Sequence, residues 1–287
     1  MQHTIATKIS GKGYGKNRTE IRYTINPAPV NTGIRIVRTG AFPAEIFNTA
    51  NTLSRQLDRN VGEFLLSSIN PLLVVLGSLG IDNVEVTVDG SEIPVMDHCL
   101  EAIVFLVQAA GKSQQLLPRK FIQLRKPLVV SEKGKWIRLI PGSRLRFACL
   151  DSGFRQAFPF HHFGSLMEFS ETRFVTEICR ARPFETIKEE WRNLQSQGLP
   201  PQVTENKVQK LMDEFNNRES LLSLNTLAVF GKPFCADYVS FNADHELRQK
   251  LLSTLIKYSS LYLTTYIEVE SDQPQNDLNS RQEAVGC

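Results

Sequence analysis

The sequence predicts an α+β protein made of two tandem halves that resemble each other. In each half, strand-like alternation comes first and helical periodicity follows. The length of 287 residues suits about two domains of ordinary size. A composition of 41% hydrophobic and 22% charged residues is typical of a globular protein. We therefore predict an internal duplication, with a first domain over 1–115, a second over 119–270, and a disordered acidic tail over 271–287.

The first half contains four predicted strands and two predicted helices. Alternation of apolar and polar residues places the strands at 4–10, 19–26, 33–39 and 84–88. A helix is expected over 72–79, because Asn70 is a favourable N-cap and Pro71 suits the first helical position. A second, amphipathic helix follows Asp97, and its apolar face holds Leu100, Ile103, Val104, Leu106 and Val107.

The second half repeats this order. Strands are predicted at 121–130, 135–140 and 144–150, with a hairpin turn at Glu132-Lys-Gly. Helical patterns follow at 171–179, 187–197, 204–215 and 246–262. Asp244 is a natural N-cap for the last of these helices. The apolar face of that helix contains Leu247, Leu251, Leu255 and Tyr258.

One uncharged segment, residues 64–81, reaches the minimum length of a membrane span. Pro71 argues against a continuous helix there, since proline inside a helix costs about 3 kcal/mol. We predict a buried core helix and no transmembrane segment. The first residues lack the apolar core of a signal peptide, and the five Cys residues are scattered, so we expect a reduced, cytoplasmic chain.

Basic residues concentrate in 1–40 and 119–155. These stretches are either a surface that attracts phosphate groups or two solvated strand faces, and the sequence leaves both interpretations open. A formal net charge of +3 without a nucleic-acid-binding pattern argues against a nucleic-acid partner.

Five longer strings carry the most specific signal. They are Asn26-Pro-Ala-Pro-Val-Asn-Thr-Gly-Ile, Leu79-Gly-Ile-Asp-Asn-Val, Glu92-Ile-Pro-Val-Met-Asp, Ile178-Cys-Arg-Ala-Arg-Pro-Phe and Leu194-Gln-Ser-Gln-Gly-Leu. In this order they resemble the UDP-3-O-acyl-N-acetylglucosamine deacetylases, zinc-dependent amide hydrolases of lipid A synthesis in Gram-negative bacteria. The resemblance implies two tandem domains, each a β-sheet packed against a layer of helices, with the active site between them.

The catalytic residues that this resemblance implies are replaced. Where the family has a Glu general base and a His ligand, this chain has Asn70 and Pro71. The family's second His and its Asp correspond to Gln249 and Ser253. An amide and a hydroxyl are poor substitutes for imidazole and carboxylate around Zn²⁺. Pro183 stands where the family has a Thr hydroxyl. We therefore expect no metal site and no cofactor.

These replacements favour a catalytically inactive relative, a pseudoenzyme, that acts by binding. The expected partner is a protein of lipopolysaccharide synthesis, such as the active deacetylase or the machinery that controls its turnover. Lys250 and Phe184 match family residues near the substrate and are weak candidates for ligand binding.

Two alternatives stay open. The first is an active enzyme, either a divergent zinc-dependent deacetylase or a hydrolase with a displaced site. Such a site would use His98, His161 or His162 with Asp97. The second is a sensor that binds a nucleotide-sugar or an acyl chain.

Overall fold

The computed structural model describes seven stretches of the chain, residues 1–14, 20–39, 46–51, 70–89, 100–152, 166–196 and 201–267. Their strands form sheets of five, seven and two strands, and the helices pack on these sheets. The predicted α+β class is confirmed. The predicted tail over 271–287 lies outside the described residues.

The first half builds the five-stranded and the two-stranded sheet. Its elements are β1 His3–Ile5, β2 Ile9–Tyr14, β3 Glu20–Pro27, β4 Ile34–Thr39, β5 Ile46–Asn48, α1 Asn70–Ser78, β6 Val84–Asp89, α2 Glu101–Ala110 and β7 Lys112–Gln114. The strands of the larger sheet lie in the order β2-β3-β6-β4-β5, in which β4 and β6 are parallel and the other neighbours antiparallel. Strands β1 and β7 pair antiparallel.

The second half builds the seven-stranded sheet. Its elements are β8 Lys120–Leu124, β9 Leu128–Glu132, β10 Lys135–Pro141, β11 Arg146–Leu150, β12 Met167–Glu168, α3 Glu171–Thr176, α4 Phe184–Ser196, α5 Pro201–Leu227, β13 Phe234–Phe241, α6 His245–Lys257, α7 Ser259–Tyr262 and β14 Leu263–Ile267. Five of its strands follow the order β9-β10-β13-β11-β12, and β8 pairs with both β13 and β14.

The two halves have the same topology. In both five-strand orders the third strand is parallel to the fourth, and the remaining neighbours are antiparallel. The antiparallel pair β8–β14 corresponds to the pair β1–β7. The chain is therefore an internal duplication of one α+β unit. The boundaries 1–115 and 119–270 remain predictions.

Two segments, each predicted as a single strand, contain two strands in the structure. The segment 4–10 is interrupted after β1, where the N–H groups of Ala6 and Thr7 donate to the carbonyls of Gly111 and Ala110. The segment 121–130 is interrupted between β8 and β9, where the N–H of Arg125 donates to the Tyr262 carbonyl. Pro127, which has no N–H to donate, lies in the same break. The hairpin at Glu132-Lys-Gly is confirmed, with the positive φ values at Lys133 and Gly134 that tight hairpins favour.

The prediction failed for the central strand of the second sheet and for three helix ends. Strand β13 is almost wholly buried, so it lacks the alternation that reveals a strand with one solvated face. Helix α5 continues to Leu227 instead of ending near 215. The predicted helix 171–179 ends at Thr176. The last helix ends at Lys257, and Tyr258 is 44% exposed instead of lying on the apolar face.

Helix α1 is largely buried, as its uncharged sequence predicts. It contacts α2, α5 and the 3₁₀ turn Ala228–Phe230, and it begins two residues before the predicted 72 and ends one residue before the predicted 79. The buried residues of its first two turns are Leu72, Leu73, Val74, Val75 and Leu76. Within the described stretches, no helix is long and apolar enough to cross a membrane.

A buried amide network joins the ends of the first half. Asn83 is 1% exposed, and its Nδ2 donates to Gln2 Oε1 at 2.8 Å and to Gln115 Oε1 at 2.7 Å. Its Oδ1 accepts from the Gly33 N–H at 2.8 Å. Next to it, Asp82 accepts from the N–H of His3 and from Arg119 Nε, at 2.9 and 2.8 Å. These contacts tie β1, the turn before β4 and the segment around β7 to one point.

The two halves also meet at Gly231, which follows the 3₁₀ turn Ala228–Phe230 with a φ of 59°. A Cβ at this position would overlap the Cβ of the buried Thr49. The Thr49 hydroxyl in turn accepts from the Ile34 N–H at 2.9 Å. Only glycine allows this backbone conformation and this approach together.

We predict that Gly231→Ala lowers the free energy of unfolding by about 2–4 kcal/mol, the sum of a left-handed φ and overpacking against Thr49. Gly134→Ala is the matched control, since its φ is +80° and no atom lies within 4 Å of the added Cβ. It should lose only the conformational part, about 1–2 kcal/mol. Urea unfolding of both variants measures the difference, and equal losses would contradict the close contact with Thr49.

Candidate functional site

The start of α6 is the best-defined part of the candidate site. Asp244 caps the helix by accepting from the Leu247 N–H at 2.9 Å, as predicted. Its other carboxylate oxygen accepts from Lys135 Nζ at 2.5 Å. The hydrogen bond from Lys135 and the one from the Leu247 backbone hold the pKa of Asp244 below its usual value. The cap thus fixes the first turn of α6 against strand β10.

Gln249 and Ser253 occupy the positions at which the resemblance implies metal ligands. Gln249 is half-buried, and its Nε2 lies 2.8 Å from His245 Nε2 within the same helix. Ser253 is exposed and donates to the Lys250 carbonyl at 3.0 Å. Both side chains therefore have hydrogen-bond partners on their own helix.

The residues present do not fit the zinc ion that the resemblance implies. Zn²⁺ sites in proteins use thiolate, imidazole and carboxylate ligands, whereas these positions offer an amide, a hydroxyl and, at Pro71, no donor atom. Over the described stretches, no three His, Cys, Asp or Glu side chains are grouped so that they could hold a metal. The displaced-site candidates Asp97, His98, His161 and His162 lie outside the described residues.

A cavity of about 440 Å³ opens between α4, α5 and the start of α6. Phe184 and Gln249 both line it, so the structure brings together two of the residues selected from the sequence. The Phe184 ring lies 5.4 Å from the Phe215 ring, and Lys188 Nζ lies 5.9 Å from the Phe184 ring. Aromatic walls with a few convergent polar groups are typical of small-molecule sites.

Glu219 of α5 and Arg248 of α6 form a buried ion pair that lines this cavity. Arg248 donates to Glu219 Oε2 at 2.5 Å, and the two side chains are only 9% and 7% exposed. Burial raises the pKa of Glu219 above its usual value, although Arg248 acts in the opposite direction. Burial also raises the pKa of the nearby Cys149 thiol to about 12, so this cysteine is not a nucleophile at neutral pH.

This ion pair is not among the features predicted from the sequence. Arg248 lies within the buried stripe of α6, between Leu247 and Leu251, and a charge in an apolar stripe is the signal that could have found it. Glu219 lies in the part of α5 beyond the predicted helix end.

The other selected residues do not line the cavity. Lys250 Nζ donates to the Ser131 carbonyl at 3.1 Å and lies 3.4 Å from Glu132 Oε2, so its ammonium is held at the β9–β10 hairpin. Pro183 is exposed just before α4, and Pro71 is half-buried in α1. The Asn70 side chain lies outside the described part of the structure.

Comparison with known proteins matches the chain over both halves. A family model described as UDP-3-O-acyl N-acetylglycosamine deacetylase (LpxC) matches residues 2–257. The chain is 30% identical over 304 residues to the UDP-3-O-acyl-N-acetylglucosamine deacetylase of Shewanella halifaxensis. It is 29% identical over 303 residues to the protein of the same name from Shewanella oneidensis. Each match covers 95% of this chain and 95% of the relative.

We predict that Glu219→Gln or Arg248→Met alone lowers the free energy of unfolding by about 3–5 kcal/mol, because each leaves one buried charge without its partner. The double variant should lose clearly less than the sum, since no unpaired charge remains. Urea unfolding of the four proteins gives the coupling energy. The same cycle on the exposed pair Glu20–Arg22 is the control and should be nearly additive. Additive losses at Glu219 and Arg248 would contradict a buried, coupled pair.

Proposed function

The chain belongs to the UDP-3-O-acyl-N-acetylglucosamine deacetylase family, and on that premise we propose that it is a catalytically inactive member that acts by binding. The donor set at the family's ligand positions carries this proposal. Pro71 offers no ligand atom, and Gln249 and Ser253 are engaged by His245 and the Lys250 carbonyl. Asn70, in place of the general base, has no useful basicity.

The contributions of the metal and of the acid–base groups to the reaction rate show what these replacements remove. In zinc hydrolases the metal lowers the pKa of bound water from about 15.7 to about 7 and so creates the nucleophile. Positioned acid–base groups contribute about 10²–10⁴-fold in rate. Loss of the ligands therefore removes the larger contribution, and loss of the Glu and Thr positions, now Asn70 and Pro183, removes smaller ones.

The proposed role is that of a cytoplasmic binding or regulatory factor in lipid A synthesis. Its partner would be a protein, such as an active deacetylase or the machinery that controls its turnover. The retained two-domain fold supports this role, because it can present a complete family-like surface to a partner without any catalytic residues. The buried network around Asn83 holds the first half together, and the Asp82–Arg119 ion pair links it to the second half, without any contribution from positions 71, 249 and 253.

We predict that the purified protein, loaded with zinc and then dialysed, retains no stoichiometric zinc by elemental analysis. It should not deacetylate UDP-3-O-acyl-N-acetylglucosamine above the blank. An active family member, prepared in parallel, is the positive control. Tightly held zinc together with turnover would overturn the proposal and support the active-enzyme alternative.

A rebuilt site sharpens this test. The variant Asn70→Glu, Pro71→His, Gln249→His, Ser253→Asp restores the family's donor types, and we expect it to gain zinc that the parent chain lacks.

A separate experiment tests the regulatory role. The deacetylation assay is repeated with an active deacetylase to which the parent chain is added. A regulatory role requires that the turnover or lifetime of that enzyme change with the amount of parent chain added.

A second candidate function, the binding of a nucleotide-sugar, is supported by the cavity that Phe184 and Gln249 line. Its aromatic wall suits a sugar or a base ring, and Asn225, Thr226 and Gln249 offer hydrogen bonds. The ammonium of Lys250 lies at the β9–β10 hairpin, outside the cavity lining.

We predict that a sensor would bind UDP-N-acetylglucosamine saturably in a calorimetric titration. Phe184→Ala should weaken that binding by at least about tenfold, because it removes the aromatic wall. Lys210→Met, at an exposed position of α5 outside the lining, is the control and should change it little. A pure protein-binding factor would give no saturable heat, which would exclude the sensor function.

A further inference from the structure

A second cavity, of about 430 Å³, lies between the two halves at the C-terminal end of α1. Gly77, Ser78 and Ile81 line it from the first half, and Leu224 and Phe234 line it from the second. None of the degenerate ligand positions, 71, 249 and 253, is among the lining residues. The cavity is therefore distinct from the positions of the degenerate metal site.

The lining is mostly apolar, and nearly all of its charges are compensated. The charged lining residues are Arg119, Arg144, Lys232, Glu168 and Glu171. Arg119 Nε binds Asp82 Oδ1 at 2.8 Å, and Arg144 pairs with Glu168 at 2.5 Å. Glu171 pairs with Lys112 at 2.7 Å. Three cations and two carboxylates line the cavity, which leaves one positive charge.

That charge is Lys232, which is half-buried and lines a neighbouring cavity of about 250 Å³ as well. Among the residues that the structure describes, no carboxylate lies within ion-pair distance of its ammonium and no acceptor forms a hydrogen bond with it. Burial lowers the pKa of Lys232, Lys120 lowers it further, and Asp82 acts in the opposite direction. An anion next to Lys232 would therefore be favourable.

We propose that this cavity binds an amphipathic monoanion, with a carboxylate head on Lys232 and an apolar body against Leu224, Leu227 and Phe234. The volume lies within the range of about 300–1,000 Å³ that is usual for small-molecule sites. A single lysine surrounded by apolar walls fits one negative charge on an apolar molecule. A diphosphate would place additional negative charge beside Glu168 and Glu171. This site is independent of the proposed inactivity and partner.

The test is a calorimetric titration of the full-length chain with decanoate, and with decan-1-ol as the uncharged probe of the same length. We expect saturable one-to-one binding of decanoate and at least about tenfold weaker binding of decanol, because an ion pair in a partly buried site is lost. Lys232→Met should weaken decanoate binding by a similar factor. Lys210→Met, at an exposed position of α5, should leave it unchanged.

A second measurement uses the unaltered protein, so the test does not depend on the folding of a variant. Lysines are acylated with a succinimidyl ester with and without decanoate, and the products are located by peptide mass spectrometry. We expect decanoate to protect Lys232 and to leave Lys210 as reactive as before. Equal affinity for decanoate and decanol, no saturable binding, or unprotected Lys232 would each overturn the proposal.

Discussion

The constraint on which the fold depends is the buried amide of Asn83. Its three hydrogen bonds hold the N-terminal Gln2, the Gly33 turn and Gln115 at one point. A buried polar group that loses its partners costs about 1–3 kcal/mol, so an arrangement of the chain that leaves the Asn83 amide without these partners is disfavoured. Through the adjacent Asp82 and its ion pair with Arg119, the same point reaches the beginning of the second half.

This network explains why the chain keeps recognisable strings of the family although the residues at the metal-ligand positions are replaced. Two of the recognisable strings, 26–34 and 79–84, supply the residues that meet at this junction, including Asn31, Gly33, Asp82 and Asn83. Their contacts join the parts of the first half to each other, and Asp82 connects them to Arg119 of the second half. The metal-ligand positions contribute nothing to the network, so Pro71, Gln249 and Ser253 can replace ligands without loosening the body that the strings identify.

The sequence predicted those elements that depend on interactions between residues close together in the chain. The buried helix α1, the Asp244 cap and the Glu132 hairpin all follow from residues within a few positions of one another. Elements determined by distant contacts were missed. Strand β13 is buried on both faces by the rest of the half, and α5 keeps its polar end helical because Glu219 meets Arg248 of another helix. No window of sequence contains both partners of that contact.

The placement of β13 has a consequence for the order in which the chain folds during synthesis. In the first half β6 reaches its parallel neighbour β4 across about 50 residues, as Arg35 and Glu85 do. In the second half the equivalent contact, Arg146 with Asp237, spans 91 residues. The ribosome must therefore release almost the whole chain before β10 and β11 gain the strand between them. Until then the edges of β10 and β11 that will face β13 are unpaired, so the second half exposes strand edges for longer during synthesis than the first half does.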